Sequence, residues 1–480
     1  MSYRGFDVGE IRSLAGDLST LGDEAPTLHL DIATVLNKAH TAMATGPATY
    51  DGDLEKVRTS GVTDVVLDGL PFGGSGTLPL ALNDDLSGMS SEMRRRCDQL
   101  DAVKGLDDAG YPVSSNDLFL DESPPSKEDI DEAVRFFDNL NDSEGLTEPT
   151  TNEQLLAAME DLEGLSAAEL NIVLSKVPEG QLEEWNDLLN QEDILGLTGV
   201  SREERNAHLS DLFANVGANN IDKFMDSFPG VQPDFSNGEG LDGSEEWGIP
   251  PSDQPMFENG TVSADDINQG DFNDCWFLAP LASLAESNPD FIREGIREND
   301  NGTVSVRLWD AEGNMQWVTV SAELPLDENG DPVSASDAGQ PLWPAYYEKA
   351  FAQVYGDGDG PEGTYAGIEW DYQENAVPYL TGGEGEDISS GFWDFGGSNF
   401  DNVKEAFENG KAVTVSSTGD APDSWEDQGY IDRHVYYVVG FTDDGNILLG
   451  NPWGSNYDPI EATPEEFEDA FDDPTAASVS

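Results

Sequence analysis

The chain has little positive charge, few cysteines and histidines, and no long apolar run. It sets only 22 Lys and Arg against 97 Asp and Glu, a formal net charge of −75. A field of that sign repels nucleic-acid backbones and anionic lipid surfaces, so a nucleic-acid role is excluded without a local basic patch. The only short basic run, Met93-Arg94-Arg95-Arg96-Cys97, is too small to reverse this. The acidity reads as a solvated, self-repelling surface suited to high salt, where screening weakens the repulsion. A surface that collects divalent cations weakly is the other reading. Two cysteines, Cys97 and Cys275, do not make a disulfide framework. No stretch approaches the roughly 20 apolar residues of a membrane span. The N-terminal Met1-Ser2-Tyr3-Arg4-Gly5-Phe6-Asp7 lacks a charged region followed by an apolar one. The protein is therefore expected to be cytoplasmic, or exported without a conventional signal peptide.

What is present divides into two kinds of pattern. From Asp7, apolar residues recur at Val8, Ile11, Leu14, Leu18 and Leu21, which is helical spacing, and Asp7 with Glu10 suits a helix start. A second apolar stretch runs from Leu28 to Leu36, and a Gly-rich loop follows around Gly69 to Gly76. Leu86, Met89, Met93, Leu100 and Val103 fit a further helix. Residues 1–113 are expected to form a helical hairpin or bundle, a candidate targeting domain. Helix-start patterns at Ser126/Asp129, Thr151/Gln154, Ser166/Glu169 and Ser201/Glu204 predict a second all-helical domain over 114–228. Residues 229–255, rich in Gly, Pro, Ser and acids, are expected to be an acidic flexible linker.

Beyond the linker, over 256–480, the pattern is mixed. Alternation predicts a hairpin of strands at 303–309 and 316–320, and further strands at 412–416, 435–441 and 446–450. Helices fit 275–287, 346–355 and 399–409. The fold class expected is multidomain, an all-α N-terminal region followed by an α+β domain.

The chemistry concentrates in that last region. Cys275 opens the apolar run Trp276-Phe277-Leu278-Ala279, where a helix should begin. A helix N-terminus and a neighbouring imidazolium both favour a thiolate. His434, well over a hundred residues on, is the one histidine downstream of Cys275, and Asn451 follows it within an Asn-Pro-Trp-Gly run. A thiolate nucleophile needs a base and a group that orients the base, and these three supply the types in papain-like order. Singly, each has a plainer reading: a small buried hydrophobe, a strand-edge histidine, a turn former. Gln269 could donate its amide to an oxyanion beside the Cys275 N–H, or could simply be a turn residue next to Gly270.

These segments resemble the catalytic core of the calpain-type cysteine proteases. The resemblance rests on Gln269-Gly270…Asp274-Cys275-Trp276-Phe277-Leu278-Ala279, on Leu342-Trp343-Pro344-Ala345-Tyr346-Tyr347-Glu348-Lys349-Ala350-Phe351-Ala352, and on Leu380-Thr381-Gly382-Gly383. His434…Val438…Gly440-Phe441 and Leu448-Leu449-Gly450-Asn451-Pro452-Trp453-Gly454 complete it. It implies a papain-like two-lobed fold that hydrolyses peptide bonds in protein or peptide substrates. Cys275 would be the nucleophile, His434 the base and acid, Asn451 its orienter and Gln269 part of the oxyanion hole. Trp453 would shield the His–Asn pair, and Trp276 is a further substrate-binding or shielding candidate.

The chain departs from the family in places. Asn273 stands where the family usually has Gly, and is expected to tolerate a left-handed turn. Arg433 and Val435 flank the histidine where small residues are common. The family's core binds calcium, and Asp266 matches one acidic ligand position. Pro341 replaces the Glu expected before the helix tryptophan, however, and the acidic stretch after Asn-Pro-Trp-Gly is largely missing. No cofactor is expected to be required, and a two-calcium switch is expected to be lost. Asp357-Gly358-Asp359-Gly360-Pro361-Glu362 is a different candidate calcium segment, although not an EF-hand loop. The N-terminal helices resemble type VII secretion substrates, which would make secretion machinery or a cognate partner their binding target. The alternative to a peptidase is a proteolytically silent adaptor or recognition module.

Overall fold

The computed structural model describes residues 8–24, 78–113, 123–140, 152–190, 202–355, 363–390, 398–419, 421–422, 425, 428–454 and 456–478. The chain divides into two compact units, Met1–Asp131 with Ser166–Lys176, and Glu132–Leu165 with Val177–Ser480. The segments at 1–7, 28–36, 69–76 and 357–362, and the helix starts at Thr151 and Ser201, lie outside the described residues.

In the first unit, helix α1 (residues 8–24) runs antiparallel to α2 (Leu78–Asp108). Ser90 donates to the Ala15 carbonyl at 2.7 Å, and Arg12 pairs with Asp98 and Asp101. Cys97 is fully buried along this seam. Helix α3 (Lys127–Leu140) begins where Asp129 N–H donates to Ser126. Helix α4 (Asn152–Glu163), which belongs to the second unit, precedes α5 (Ala167–Lys176) of the first. The start of α5 is a reciprocal cap, since Glu169 N–H donates to Ser166 Oγ and Ser166 N–H donates to Glu169 Oε2.

In the second unit, α6 (Glu179–Leu189), α7 (Arg202–Asn215) and α8 (Ile221–Ser227) follow. Phe137, Trp185, Phe228, Phe224 and Phe213 pack in sequence at centroid distances of 4.8–5.5 Å, an aromatic spine for these helices. Strand β1 (Glu246–Gly248) then leads to α9 (Cys275–Ser287) and α10 (Pro289–Glu294). An antiparallel sheet comprises β2 (Ile296–Glu298), β3 (Val304–Trp309) and β4 (Met315–Val320), and β5 (Leu324–Leu326) pairs with β1. Helix α7 docks on this sheet, with Ser210 Oγ donating to the Trp317 carbonyl at 2.8 Å.

Helices α11 (Trp343–Val354) and α12 (Gln373–Thr381) lead to β6 (Glu386–Asp387) and α13 (Asn399–Glu408). The remaining elements are β7 (Ala412–Ser417), β8 (Val435–Phe441), β9 (Ile447–Gly450), β10 (Ile460–Ala462), α14 (Pro464–Ala470) and β11 (Phe471–Ala477). The strands form one antiparallel sheet in the order β10-β9-β8-β7-β11-β6.

Two cores result. One centres on α9 and α11 and takes Val435 and Tyr437 from β8; the other lies under α13 and α14 and takes Tyr436 and Val438. That alternation is the period-2 geometry of a strand buried on both faces. The helical region is thus followed by an α+β domain with two lobes, and α9 packs against β7 and β8 at their junction.

Candidate active site

Cys275 is the first residue of α9, so its N–H is among the first-turn amides with no partner inside the helix. The loop before it is held on both sides. Gln269 N–H donates to the Pro452 carbonyl at 2.8 Å, and Asp271 N–H to the Val333 carbonyl at 2.8 Å. Gly270 is needed for this approach, because a Cβ there would meet the Val333 carbonyl oxygen at 1.9 Å. Asn273 is not among the described residues with positive φ, so the left-handed turn expected of it does not form. Its carbonyl accepts from Trp370 N–H at 3.1 Å instead, and its N–H donates to Glu369.

His434 precedes β8 and Asn451 follows β9, at the same end of two paired strands. Ser417 locks the histidine main chain: its N–H donates to the His434 carbonyl at 2.9 Å, and His434 N–H donates to its Oγ at 3.0 Å. The imidazole Nε2 lies 2.9 Å from Asn451 Oδ1. Asn451 has no freedom to flip, because Nδ2 donates to the Gly429 carbonyl at 2.8 Å and Oδ1 also accepts from Trp453 N–H at 2.9 Å. Oδ1 can only accept, so Nε2 carries the proton and Nδ1 keeps its lone pair. The ring lies between Tyr436, edge-on at 5.1 Å, and Trp453 at 5.4 Å.

The site is nearly dry, with Cys275, His434 and Asn451 at 8%, 6% and 7% exposure. Burial pushes the thiol up to about 11, opposed by amide hydrogen bonds from Val435, Trp276 and Cys275 itself. Burial also pushes His434 down to about 4, opposed by its bond to Asn451. Both shifts favour a neutral resting pair over thiolate and imidazolium. Helix α9 packs on β8, and Cys275 shares a buried cluster with Val435, the residue after His434.

The other expected residues fall in different places. Gln269 joins the Cys275 loop to the Asn451 turn through its main chain, and its Nε2 donates one hydrogen to the Phe272 carbonyl at 2.6 Å. Its second Nε2 hydrogen is not used in that bond. Trp453, the expected shielding residue, lies beside the imidazole with its ring tilted 57° to it. Trp276 does not line a substrate surface. It is 1% exposed, packs against Phe351 and Tyr355, and its indole donates to the Ile368 carbonyl at 2.6 Å. The first turn of α9 drives this bulky ring into the core, where it fixes segment 366–368.

Asp266 is largely buried and one of its carboxylate oxygens is already engaged. Its Oδ2 accepts from Trp343 Nε1 at 2.8 Å and from Ser263 N–H at 2.9 Å, closing a capping box. Pro341 supplies only a carbonyl, which accepts from Ser336. Among the described residues no cluster of three His, Cys, Asp or Glu side chains could hold a metal ion. The donors present there do not fit the calcium site that the resemblance implies.

Sequence reasoning missed Ser417, the Gly429 carbonyl, Trp370 and the full burial of Asp274 and Glu348. Trp370 is 62% exposed at φ 63°, and its indole donates to Glu239 at 3.1 Å. Asp274 and Glu348 stand inside conspicuous motifs, yet nothing in their spacing announces that both are fully buried.

The region thus carries a cysteine at a helix start and a histidine held by an asparagine, the residue types of a cysteine-peptidase centre. Residues 243–458 match the family model for calpain family cysteine proteases. The chain is 28% identical over 214 residues to the calpain-type cysteine protease DEK1 of Zea mays, covering 42% of this chain and 9% of that protein. It is 26% identical over 219 residues to calpain-12 of Homo sapiens, and 28% identical over 221 residues to calpain-13 of Rattus norvegicus. Each of these covers 42% of this chain, with 28% and 31% of the respective relative. The chain therefore spans less than a third of the length of each. Among the described residues no helix is long and apolar enough to cross a membrane.

Proposed function

We propose that the chain hydrolyses peptide bonds in protein or peptide substrates through a thioester acyl-enzyme. The observation that carries this reading is the fixed tautomer of His434: Nε2 is committed to Asn451, so Nδ1 is the nitrogen left to take the Cys275 proton. In the first step the Cys275 sulfur attacks the scissile carbonyl carbon while its proton passes to Nδ1. The tetrahedral oxyanion draws on the Cys275 N–H and the remaining Gln269 amide hydrogen. Nδ1 then gives the proton to the departing amine, the C–N bond breaks, and a thioester remains. Water, deprotonated by the same nitrogen, releases the acid and restores the thiol. Asn451 Oδ1 supports the imidazolium that exists between these steps.

Calcium takes no part in this reading. The carboxylate of Asp266 serves a capping box and an indole, and among the described residues it belongs to no group of three metal-ligating side chains. The test of the function is cleavage of a denatured protein substrate by the full chain, with chelator present. Loss of cleavage in Cys275→Ala and in His434→Ala is expected, and unchanged cleavage in either would overturn the assignment.

A further inference from the structure

Residues 234–241 precede the stretch 243–458 that matches the family, yet they are seated on the loop that leads into Cys275. Asp234 anchors them: its N–H donates to the Gly363 carbonyl at 2.8 Å, and its own carbonyl accepts from Tyr365 N–H at 2.9 Å. Its carboxylate takes Ser236 N–H and Ser236 Oγ, each at 2.9 Å. Phe235 packs edge-on against Trp247, with ring centroids 4.8 Å apart. Gly238 N–H then closes a turn on the Phe235 carbonyl at 3.1 Å. Two glycines meet the nucleophile loop. A Cβ on Gly238 would stand 2.7 Å from the Phe272 ring, and one on Gly240 would stand 1.9 Å from the Asp271 carbonyl oxygen. At Gly240 the clash is with main chain, so only glycine fits there without moving the loop.

Between these glycines, Glu239 bonds in two directions. Its N–H donates to the Glu369 carboxylate at 3.1 and 3.4 Å, and its Oε2 accepts from the Trp370 indole at 3.1 Å. Glu369 and Trp370 in turn hold both main-chain groups of Asn273. Glu369 Oε1 accepts the Asn273 N–H at 3.4 Å, and Trp370 N–H donates to the Asn273 carbonyl at 3.1 Å. Trp370 has φ 63°, a left-handed backbone that a bulky residue keeps only while its surroundings fix it. The side chain is largely exposed, so packing supplies little of that restraint, and the bond from the indole to Glu239 supplies it. Next to Asn273, Phe272 stacks on Tyr365 at 4.4 Å and offers its carbonyl to Gln269 Nε2 at 2.6 Å. The place of Phe272 therefore sets where the second hydrogen of the Gln269 amide points.

We propose that Glu239 is a positioning residue for the oxyanion side of the site: it clamps Trp370, which with Glu369 fixes Asn273 and so the Phe272 carbonyl that aims the Gln269 amide. The proposal rests on the peptidase reading for its purpose, but the clamp can be observed without catalysis. Its effect differs from plain support of the fold. Peptide hydrolysis builds charge on the substrate carbonyl oxygen and needs the oxyanion donors. Alkylation by iodoacetamide is a displacement of iodide by the sulfur and needs none. A misaimed Gln269 should slow the first reaction and spare the second.

The experiment uses the full chain as wild type, Glu239→Ala, Glu239→Gln, Gly240→Ala and Trp370→Phe. Three quantities are read: kcat and KM on a fluorogenic peptide, the rate of Cys275 labelling by iodoacetamide, and the indole N–H resonance of Trp370, assigned by its loss in Trp370→Phe. Glu239→Ala should shift that resonance, lower kcat at least about tenfold, and leave KM and labelling within about twofold of wild type. Glu239→Gln keeps an amide oxygen for the indole and should restore kcat to within about threefold. Gly240→Ala displaces Asp271 and should reproduce the loss in kcat. An unmoved resonance or wild-type kcat in Glu239→Ala would overturn the proposal. So would an equal loss in Glu239→Gln, labelling that falls in parallel with kcat, or wild-type kcat in a folded Gly240→Ala. Should Gly240→Ala fail to fold, the two variants of the exposed Glu239 still decide. A wild type that never cleaves would sink the peptidase reading and the positioning role with it, whereas the resonance would report the clamp regardless.

Discussion

Replacing His434 by Gln should remove a specific acid sensitivity from the fold. The imidazole sits between Tyr436 and Trp453, 6% exposed, with one nitrogen bonded to an amide oxygen. Burial therefore lowers its pKa from 6.5 to about 4, against the smaller upward pull of Asn451. The unfolded chain protonates this histidine as pH falls below 6.5, while the native state refuses the proton until about 4. Stability present above 6.5 is lost progressively across that window. Two and a half units at about 1.36 kcal/mol each give a loss of about 3 kcal/mol, complete near pH 4. Many carboxylates titrate in the same range, so the assay is a difference: urea unfolding of wild type and of His434→Gln from neutral pH to about 4, in high salt. The carboxylates are common to both proteins and cancel. Wild type should lose about 3 kcal/mol more than the variant. A flat difference, or one of opposite sign, would mean that His434 is already charged at rest, held as imidazolium by a Cys275 thiolate, and the neutral resting pair would be wrong.

Three further outcomes follow from the same geometry. Asn451→Ala removes the acceptor for the imidazolium and should lower kcat/KM about 10–100-fold, with Cys275 still present and alkylatable, as a peptide assay would read. Cleavage by the full chain should keep its rate, within about twofold, after dialysis against a calcium chelator, because the Asp266 carboxylate is engaged by Ser263 and Trp343; a large loss restored by calcium would refute this. Arg433→Gly should stabilise the fold by up to about 1 kcal/mol in urea unfolding, since Arg433 holds φ 57° immediately before the locked histidine.

The readable parts of the sequence were those where local pattern and tertiary role agree. Helix α9 runs from Cys275 to Ser287 as its apolar run predicts, and the alternation of Val435 to Phe441 becomes β8 with the same bounds. The strands around 304–309, 412–417 and 447–450 likewise emerge within a residue or so of expectation. Elements that exist by virtue of their partners were not legible. β11 carries Pro474 and two adjacent acids, and is a strand because it pairs across a register shift with β7. Helix α12 contains Pro378, which argues against a helix in any local reading. α11 starts three residues earlier than its periodicity suggested, because Pro344 in its first turn suits a helix start better than an interior.

The same distinction governs the site. His434 and Asn451 were identifiable by type and order, and their contact follows from the pairing of Tyr437 with Gly450. The locking of the histidine main chain by Ser417, and of the Asn451 amide by the Gly429 carbonyl, involves main-chain atoms that carry no sequence signal. Trp276 was misplaced because an aromatic next to a nucleophile reads as substrate-facing, whereas helical rotation by one residue turns it into the core.

The central claim is that Cys275 and His434 act together as an assembled nucleophile and base. Its most direct test is labelling of the full chain by an electrophilic peptide probe, in wild type, Cys275→Ala and His434→Ala, with each protein shown to be folded. The account predicts one label on wild type, at Cys275, none on Cys275→Ala, and labelling slowed at least about 100-fold in His434→Ala. Equal labelling of wild type and His434→Ala, or none on a folded wild type with or without calcium, would contradict it.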